Sequence, residues 1–503
     1  EERSAAYEGG LPADFARTSR EFCQIFTCQL MLNDDLSQQI KRNFLYKPTE
    51  EQEIAITSFS DFFFSAEHDS VYLLKGYAGT GKTSLVSAIV KTLDSLKQKC
   101  VLLAPTGRAA KVFSHHAGHS AYTIHRRIYR QKSFSNELDN FTMNSNLHQH
   151  TLFIVDEASM IANDGLSGGM FGSGRLLDDL IQYVYGGQGC RLMLIGDTAQ
   201  LPPVGEEESP ALSADALRGY GLEVTERILT QVVRQANDSG ILYNATRLRH
   251  YIADDDCFSL PTIKVSGFTD VRVLPGGELI DAINESYDHV GMDETMIVCR
   301  SNKRAGLYNK GIRGTILYRE DELNTGDWLM VAKNNYFWGT DCKQLDFIAN
   351  GDMAVVKRVR RVHEMYGFRF ADVALSFPDY DDLELDVRIL LDTLHSYAPA
   401  LTKEQSDSLF NAVCEDYADI TIKRDRMKKV KEDPWYNALQ VKYAYAVTCH
   451  KAQGGQWKRV FIDQGYMTDE MLSPDYFRWL YTAFTRATEK LYLVNWPKEQ
   501  TEE

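Results

Sequence analysis

Apolar residues along this chain come in short unbroken runs instead of in strict alternation. Val71–Leu74, Val101–Ala104, Leu152–Val155 and Leu192–Ile195 are apolar or aromatic at every position. That is the pattern of strands buried on both faces of a parallel sheet. Between the first two runs, Leu85, Val86, Ile89, Val90, Leu93 and Leu96 fall at helical spacing. The spacing predicts a helix over Thr83–Leu96 and hence a strand–helix–strand unit. A second α/β region is expected from Met296–Cys299, Val460–Ile462 and Leu491–Val494.

Between about 320 and 436 the texture changes. Strand-like pieces such as Trp328–Val331 and Met353–Val356 are mixed with charge. An acidic stretch (Asp379, Asp381, Asp382, Glu384, Asp386) precedes a basic one (Lys423, Arg424, Arg426, Lys428, Lys429, Lys431). The acidic piece, about 379–420, reads as helical and offers a surface for an unidentified partner. The whole segment reads as an insertion that splits the second α/β domain. The expected organisation is an N-terminal extension over 1–43, a first domain over 44–235, a second domain over 236–319 and 437–503, and the insertion over 320–436.

Length and charge narrow the picture. With 503 residues, 44% hydrophobic and 25% charged, the chain has ordinary globular composition and room for about three domains. A formal charge of −15 excludes a general polycation, so any nucleic-acid binding must be confined to a local channel. Nine scattered cysteines without a C-x-x-C suit neither a disulfide framework nor a zinc site. No apolar run approaches the ~18 residues of a membrane span, and no leader pattern is visible. A cytoplasmic protein without membrane contact is expected.

The chemistry begins at Gly76-Tyr77-Ala78-Gly79-Thr80-Gly81-Lys82-Thr83, which fits G-x-x-x-x-G-K-[ST] between a strand and a helix. Its glycines let backbone N–H groups turn inward onto phosphate oxygens, helped by the helix N-terminus. Gly76, Gly79, Thr80 and Gly81 would cradle ATP. Lys82 would neutralise the β/γ-phosphates, and Thr83 would ligate Mg²⁺. Leu152–Val155 ends in Asp156-Glu157 at a strand's C-terminal end. There Asp156 would hold the metal through its water shell, and Glu157 would orient and deprotonate the attacking water.

With these two elements in hand, the sequence resembles superfamily 1 helicases, in particular their RecD-like and Dda-like branch, from about Tyr46 to Val494. Pro48-Thr49-Glu50-Glu51-Gln52 is similar to the adenine-recognising Q motif, Ala104–Ala110 to motif Ia, and Thr123-Ile124-His125 to motif Ib. Gly196–Pro203 resembles motif III, and Val233-Arg234-Gln235 motif IV. Thr448–Gly454 resembles motif V, and Tyr481–Ala487 motif VI. The resemblance implies two RecA-like parallel-sheet P-loop domains, with a β-hairpin insertion in the first and an SH3-like β-barrel insertion in the second.

It also implies roles. Gln52 would read the base and Gln200 would contact the γ-phosphate. Arg234 and Arg486 are the candidate arginine fingers, and Gly454 belongs to the nucleotide side. Pro105, Thr106, Arg108, His125, Thr448 and His450 are the candidate strand contacts, which would be sequence-independent and salt-sensitive. A pin at about 126–150 would split duplex, with Phe134 or Phe141 stacking at the fork. Tyr336-Phe337-Trp338 is either a second stacking cluster or core.

The implied activity is that of an ATP- and Mg²⁺-dependent DNA helicase acting on single-stranded DNA and single-strand/duplex junctions. The implied direction is 5′-to-3′. A translocase on RNA or on RNA/DNA hybrid, and an ATPase subunit of a recombination or repair complex, remain open at this point.

Overall fold

The computed structural model describes residues 31–67, 69–131, 141–163, 172–233, 238–339, 345 and 347–502. The first domain carries β1 (Ser70–Gly76), β2 (Lys99–Ala104) and β3 (Ala121–Thr123). Next come a hairpin of β4 (Tyr129–Gln131) and β5 (Phe141–Met143), then β6 (Thr151–Val155), β7 (Arg191–Gly196) and β8 (Glu223–Leu229). Six of these strands form one parallel sheet in the order β3-β2-β6-β7-β1-β8. The four apolar runs are β1, β2, β6 and β7, the central strands. Their side chains feed a core on each face of the sheet, which is why they never alternate with polar residues. The helix after β1 spans Lys82–Ser95, close to expectation.

Residues 31–43 are helical, and Leu36 and Ile40, with Phe44, pack into the same core as Phe59 and Leu93. The described part of the expected extension therefore contributes to the first domain.

The second domain follows with β9 (Ile263–Lys264), β10 (Val271–Leu274) and β11 (Thr295–Cys299). The chain then leaves to form β12 (Trp328–Val331), β13 (Met353–Met365), β14 (Phe368–Phe377), β15 (Leu383–Leu390) and β16 (Leu439–Tyr443). It returns as β17 (Ala446–Thr448), β18 (Trp457–Asp463), β19 (Ala487–Val494) and β20 (Thr501–Glu502). The second parallel sheet has the order β10-β19-β18-β11-β17, and β12 to β16 close into a five-stranded barrel. The barrel reaches Tyr443, beyond the 436 boundary read from composition.

One expectation is corrected. The acidic stretch does not begin a helix: Leu383–Leu390 is a strand whose Leu383, Leu385, Val387 and Ile389 face the barrel core. Glu384 and Asp386 take the alternate positions, as the period of two in a strand requires. Asp386 meets Arg360 of β13 at 2.6 Å, an ion pair within the barrel wall. A helix does follow at Lys403–Asp416, and Lys423–Lys431 is a second helix that buries Val430 and exposes most of its cations.

The barrel and the second sheet share a continuous core, in which Leu329, Val331 and Ala354 join Ile297, Cys299 and Phe461. The second domain's other face takes in Ala199 and Leu201 of the first domain. Both α/β domains and the barrel are thereby packed against one another.

Candidate nucleotide and strand sites at the domain cleft

The P-loop leaves the C-terminal end of β1, which lies between β7 and β8 in the sheet. Gly79 and Gly81 have φ of +77° and +82°, a conformation that strains any side-chain-bearing residue. Gly81 precedes the helix without a side-chain cap, so the N–H groups of the first turn point into the loop. Lys82 Nζ donates to the carbonyls of Gly76 (2.5 Å) and Tyr77 (2.9 Å) and lies 3.9 Å from Asp197 Oδ2. Thr80 Oγ1 donates to Tyr77 O at 2.8 Å. The loop thus holds its own lysine over the place where phosphate oxygens would sit.

Gln52 is buried beneath the loop. Its Nε2 donates to Thr80 O (2.9 Å), and its Oε1 accepts from Thr49 N (3.0 Å) as half of a capping box. Both ends of the amide proposed to read adenine are engaged in bracing the loop.

Asp156 and Glu157 leave β6 on the same edge. Glu157 adopts φ 53°, and its N–H donates to Asp156 Oδ1 at 2.9 Å. Burial, reinforced by the Glu157 charge, pushes the Asp156 carboxyl up to about 7, with Lys82 opposing. Asp156 and the exposed Thr83 hydroxyl supply hard oxygen donors that suit Mg²⁺ completed by water and phosphate. Among the described residues no cluster of three or more His, Cys, Asp or Glu could hold a metal unaided. Gln200 is buried, and its Oε1 has no hydrogen-bond partner, an acceptor left open in the cleft.

The opposite wall comes from the helix Pro474–Phe484. Tyr481 Oη accepts from Ala78 N of the P-loop (2.8 Å) and donates to Asp197 Oδ2 (2.7 Å). Beside it, Leu201 N donates to Thr482 Oγ1 at 2.9 Å, and Gln453 Nε2 donates to Leu201 O at 2.7 Å. Arg486 is buried at the end of this helix and donates to Thr482 O and Gly455 O, both at 3.0 Å. Arg249 lies over the Tyr77 ring, 4.5 Å from its centroid. Arg234 lies outside the described residues.

The candidate strand contacts lie along another rim of the cleft, to which both domains contribute. Thr106, just after Pro105, caps the helix Gly107–Ala117 by accepting from Ala109 N at 3.2 Å. Arg108 reaches across the cleft, donating to Gln456 O at 3.1 Å with its guanidinium over Trp457. Gly454 is on this rim as well: a Cβ there would stand 3.0 Å from Ala109 Cβ and 3.3 Å from Thr106 Oγ1. Thr448 begins the short helix Cys449–Ala452 without spending its hydroxyl on the cap, and His450 is exposed next to it. His125 instead turns inward against the rings of Tyr129 and Phe347, where burial pushes it down to about 4 and keeps it neutral. The hairpin of β4 and β5 is present within 126–150. Its Phe134 and the side chain of Phe141 lie outside the described residues. Tyr336 packs on Phe347, and Trp338 Nε1 donates to Asn437 O at 2.8 Å, so that aromatic cluster is internal.

Sequence reasoning missed two features. One is the tie of Tyr481 to Ala78, 403 positions apart, which no local signal reveals. The other is the turn Pro378-Asp379-Tyr380, which docks on the motif Ia helix. Lys111 Nζ donates to Pro378 O, and Tyr380 Oη donates to Asp352 at 3.0 Å. A Cβ on Gly107 would meet Tyr380 Oη at 2.5 Å, so only glycine permits this approach. Asp379 is half-buried near Arg108 and Lys111; desolvation raises its pKa and the two cations pull it back.

Comparison with known proteins agrees with this geometry. A family model described as an AAA domain matches residues 49–254, and a UvrD-like helicase C-terminal domain matches residues 443–494. The ATP-dependent RecD2 DNA helicase of Deinococcus radiodurans is 27% identical over 433 residues, covering 84% of this chain but 46% of that protein. The chain thus spans about half the length of that relative. An uncharacterized protein of Acanthamoeba polyphaga mimivirus is 21% identical over 518 residues, covering 88% of this chain and 98% of its own. A crystal structure of the Bacteroides Pif1 helicase with ADP-AlF3 and single-stranded DNA is 16% identical, covering 90% of this chain and 94% of that one, with a TM-score of 0.44. No helix among the described residues is long and apolar enough to cross a membrane. A domain that matches an AAA-domain model thus faces, across a shared cleft, a domain that matches a UvrD-like helicase C-terminal model.

Proposed function

We propose that the protein is an ATP-dependent DNA helicase that moves along single-stranded DNA, 5′-to-3′ by its resemblance to the RecD-like branch, and opens duplex at junctions. The observation that carries this reading is the seating of the P-loop against the motif VI helix through Ala78 and Tyr481. A loop that binds phosphate and is also held by the second domain makes nucleotide occupancy and domain closure one equilibrium.

In this reading Lys82 leaves the Gly76 and Tyr77 carbonyls for the phosphates. Thr83 and Asp156 would hold Mg²⁺, which would screen the phosphate charge when bound. Glu157 orients water and takes its proton, and Gln200 contacts the γ-phosphate through its amide N–H while its unpartnered Oε1 accepts from that water. Arg234 and Arg486 supply positive charge to the transition state. Arg486 must exchange its Thr482 and Gly455 carbonyls to do so, a short rearrangement at the helix end. Thr106, Arg108, Thr448 and His450 line the rim where phosphodiester oxygens would lie.

The Lys82→Ala variant is expected to lose strand-stimulated ATP hydrolysis, measured as phosphate release; unchanged turnover would refute the site. A duplex with a 5′ tail should be unwound and one with only a 3′ tail should not. Stronger stimulation by RNA than by matched DNA would move the substrate to RNA.

A further inference from the structure

We propose that the Tyr481 hydroxyl is a positioning group that couples the strand-bound second domain to the phosphate loop, by holding Ala78 N–H and the Asp197 carboxylate at once. The inference rests on the reading of the cleft as an ATPase site and names a device within it.

The geometry fixes the direction of each bond. Ala78 N can only donate, so Tyr481 Oη accepts from it at 2.8 Å and has its own proton free for Asp197 Oδ2 at 2.7 Å. Burial and the neighbouring Asp197 hold the hydroxyl well above the ordinary tyrosine range, so it keeps that proton throughout the working pH range. The ring is 1% exposed and sits in the second-domain core with Phe477, Leu480 and Phe484. The hydroxyl is therefore carried by a rigid body that leads, little more than one turn later, to Arg486.

Asp197 is the shared element. It is buried, accepts from Ala199 N at 3.0 Å, and lies 3.9 Å from Lys82 Nζ. Lys82, Tyr481 and, at longer range, Arg486 supply the donors and positive charge that favour its ionised form against the cost of burial. When phosphate oxygens draw Lys82 away, Tyr481 becomes the side chain still holding that carboxylate, and the same hydroxyl still holds the loop. The P-loop, motif III and the motif VI helix then move as one unit. Tyr77 reinforces the joint by packing into the second-domain core under Arg249. A strand that shifts the second domain thereby shifts the phosphate loop, with no contact between strand and nucleotide.

The test compares ATP turnover against single-strand concentration for the wild type, Tyr481→Phe and Thr482→Val. Phenylalanine keeps the ring and removes the relay. Valine removes the neighbouring cross-domain bond to Leu201 N, which does not touch the loop. Tyr481→Phe is expected to lower the strand-saturated kcat about tenfold, with KM for ATP changed less than about twofold, so that the ratio of stimulated to unstimulated turnover falls toward one. Thr482→Val is expected to keep that ratio, with thermal unfolding confirming that both variants are folded. A Tyr481→Phe protein as strongly stimulated as the wild type overturns the relay alone, and so does an equal loss of stimulation in both variants. A wild type without turnover overturns the ATPase reading and the relay with it.

Discussion

Single side chains in the cleft are held by bonds that their type alone does not announce. Gln52 is the clearest case. With Nε2 on Thr80 O and Oε1 on Thr49 N, its amide braces the P-loop from below. Gln52→Ala would leave both partners short of a bond in a buried place, a loss of about 1–3 kcal/mol. We expect that variant to melt lower and to lose ATP and GTP turnover in equal proportion; selective loss with ATP would show the amide reading the base instead. His125 makes a second prediction. Its folded pKa lies near 4, below the ordinary value of 6.5, so the unfolded chain takes up its proton first as pH falls. Its contribution is intact above about pH 6.5 and is lost between there and about pH 4. Urea midpoints should fall across that window, and fall less in His125→Gln; identical slopes would refute the assignment. At this scale the sequence was legible where a motif prescribes backbone geometry, as at Gly81 and Lys82. It was silent where the partner comes from a distant segment, as for His125 against Phe347.

Elements were read well where burial is two-sided and poorly where the chain alternates. β1, β2, β6 and β7 are unbroken apolar runs and could hardly be anything else. In Leu383–Leu390 the acids Glu384 and Asp386 dominate the eye, and a run of charge was read as a helix. The period of two in Leu383, Leu385, Val387 and Ile389 was nonetheless present. Barrel closure itself depends on pairing between strands far apart, such as β12 with β16, and no local pattern encodes it. The turn that leads into β15 carries the functional consequence. The Pro378 carbonyl accepts from Lys111, and the Asp379 carboxylate lies within electrostatic reach of Arg108 and Lys111, two cations on the helix proposed to hold the strand. An acidic protein segment and a phosphodiester strand would satisfy the same cations. Asp379→Asn is therefore expected to tighten binding of a single-stranded oligonucleotide by about two- to tenfold, the scale of one partly screened ion pair. Fluorescence anisotropy at fixed salt measures it, and an unchanged Kd would show that the turn does not compete.

Across the whole molecule, the net charge of −15 takes on a local meaning. The two motor domains, the cleft and the split second domain were legible because the motifs run in order along the chain. How the barrel leans on the first domain was not, because Gly107, Asp352 and Tyr380 meet only in the folded protein. The barrel shares its core with the second domain, so its acidic turn is a tethered competitor that never diffuses away. Such a competitor leaves a signature in time as well as in affinity. At low strand concentration, association should rise in proportion to concentration. At high concentration it should level off at the rate at which the turn lifts from Gly107 and Lys111, a first-order step that more DNA cannot hasten. Stopped-flow mixing of wild type and Asp379→Asn should show that ceiling and its elevation in the variant, in which case a single half-buried carboxylate sets how quickly the cleft admits a strand.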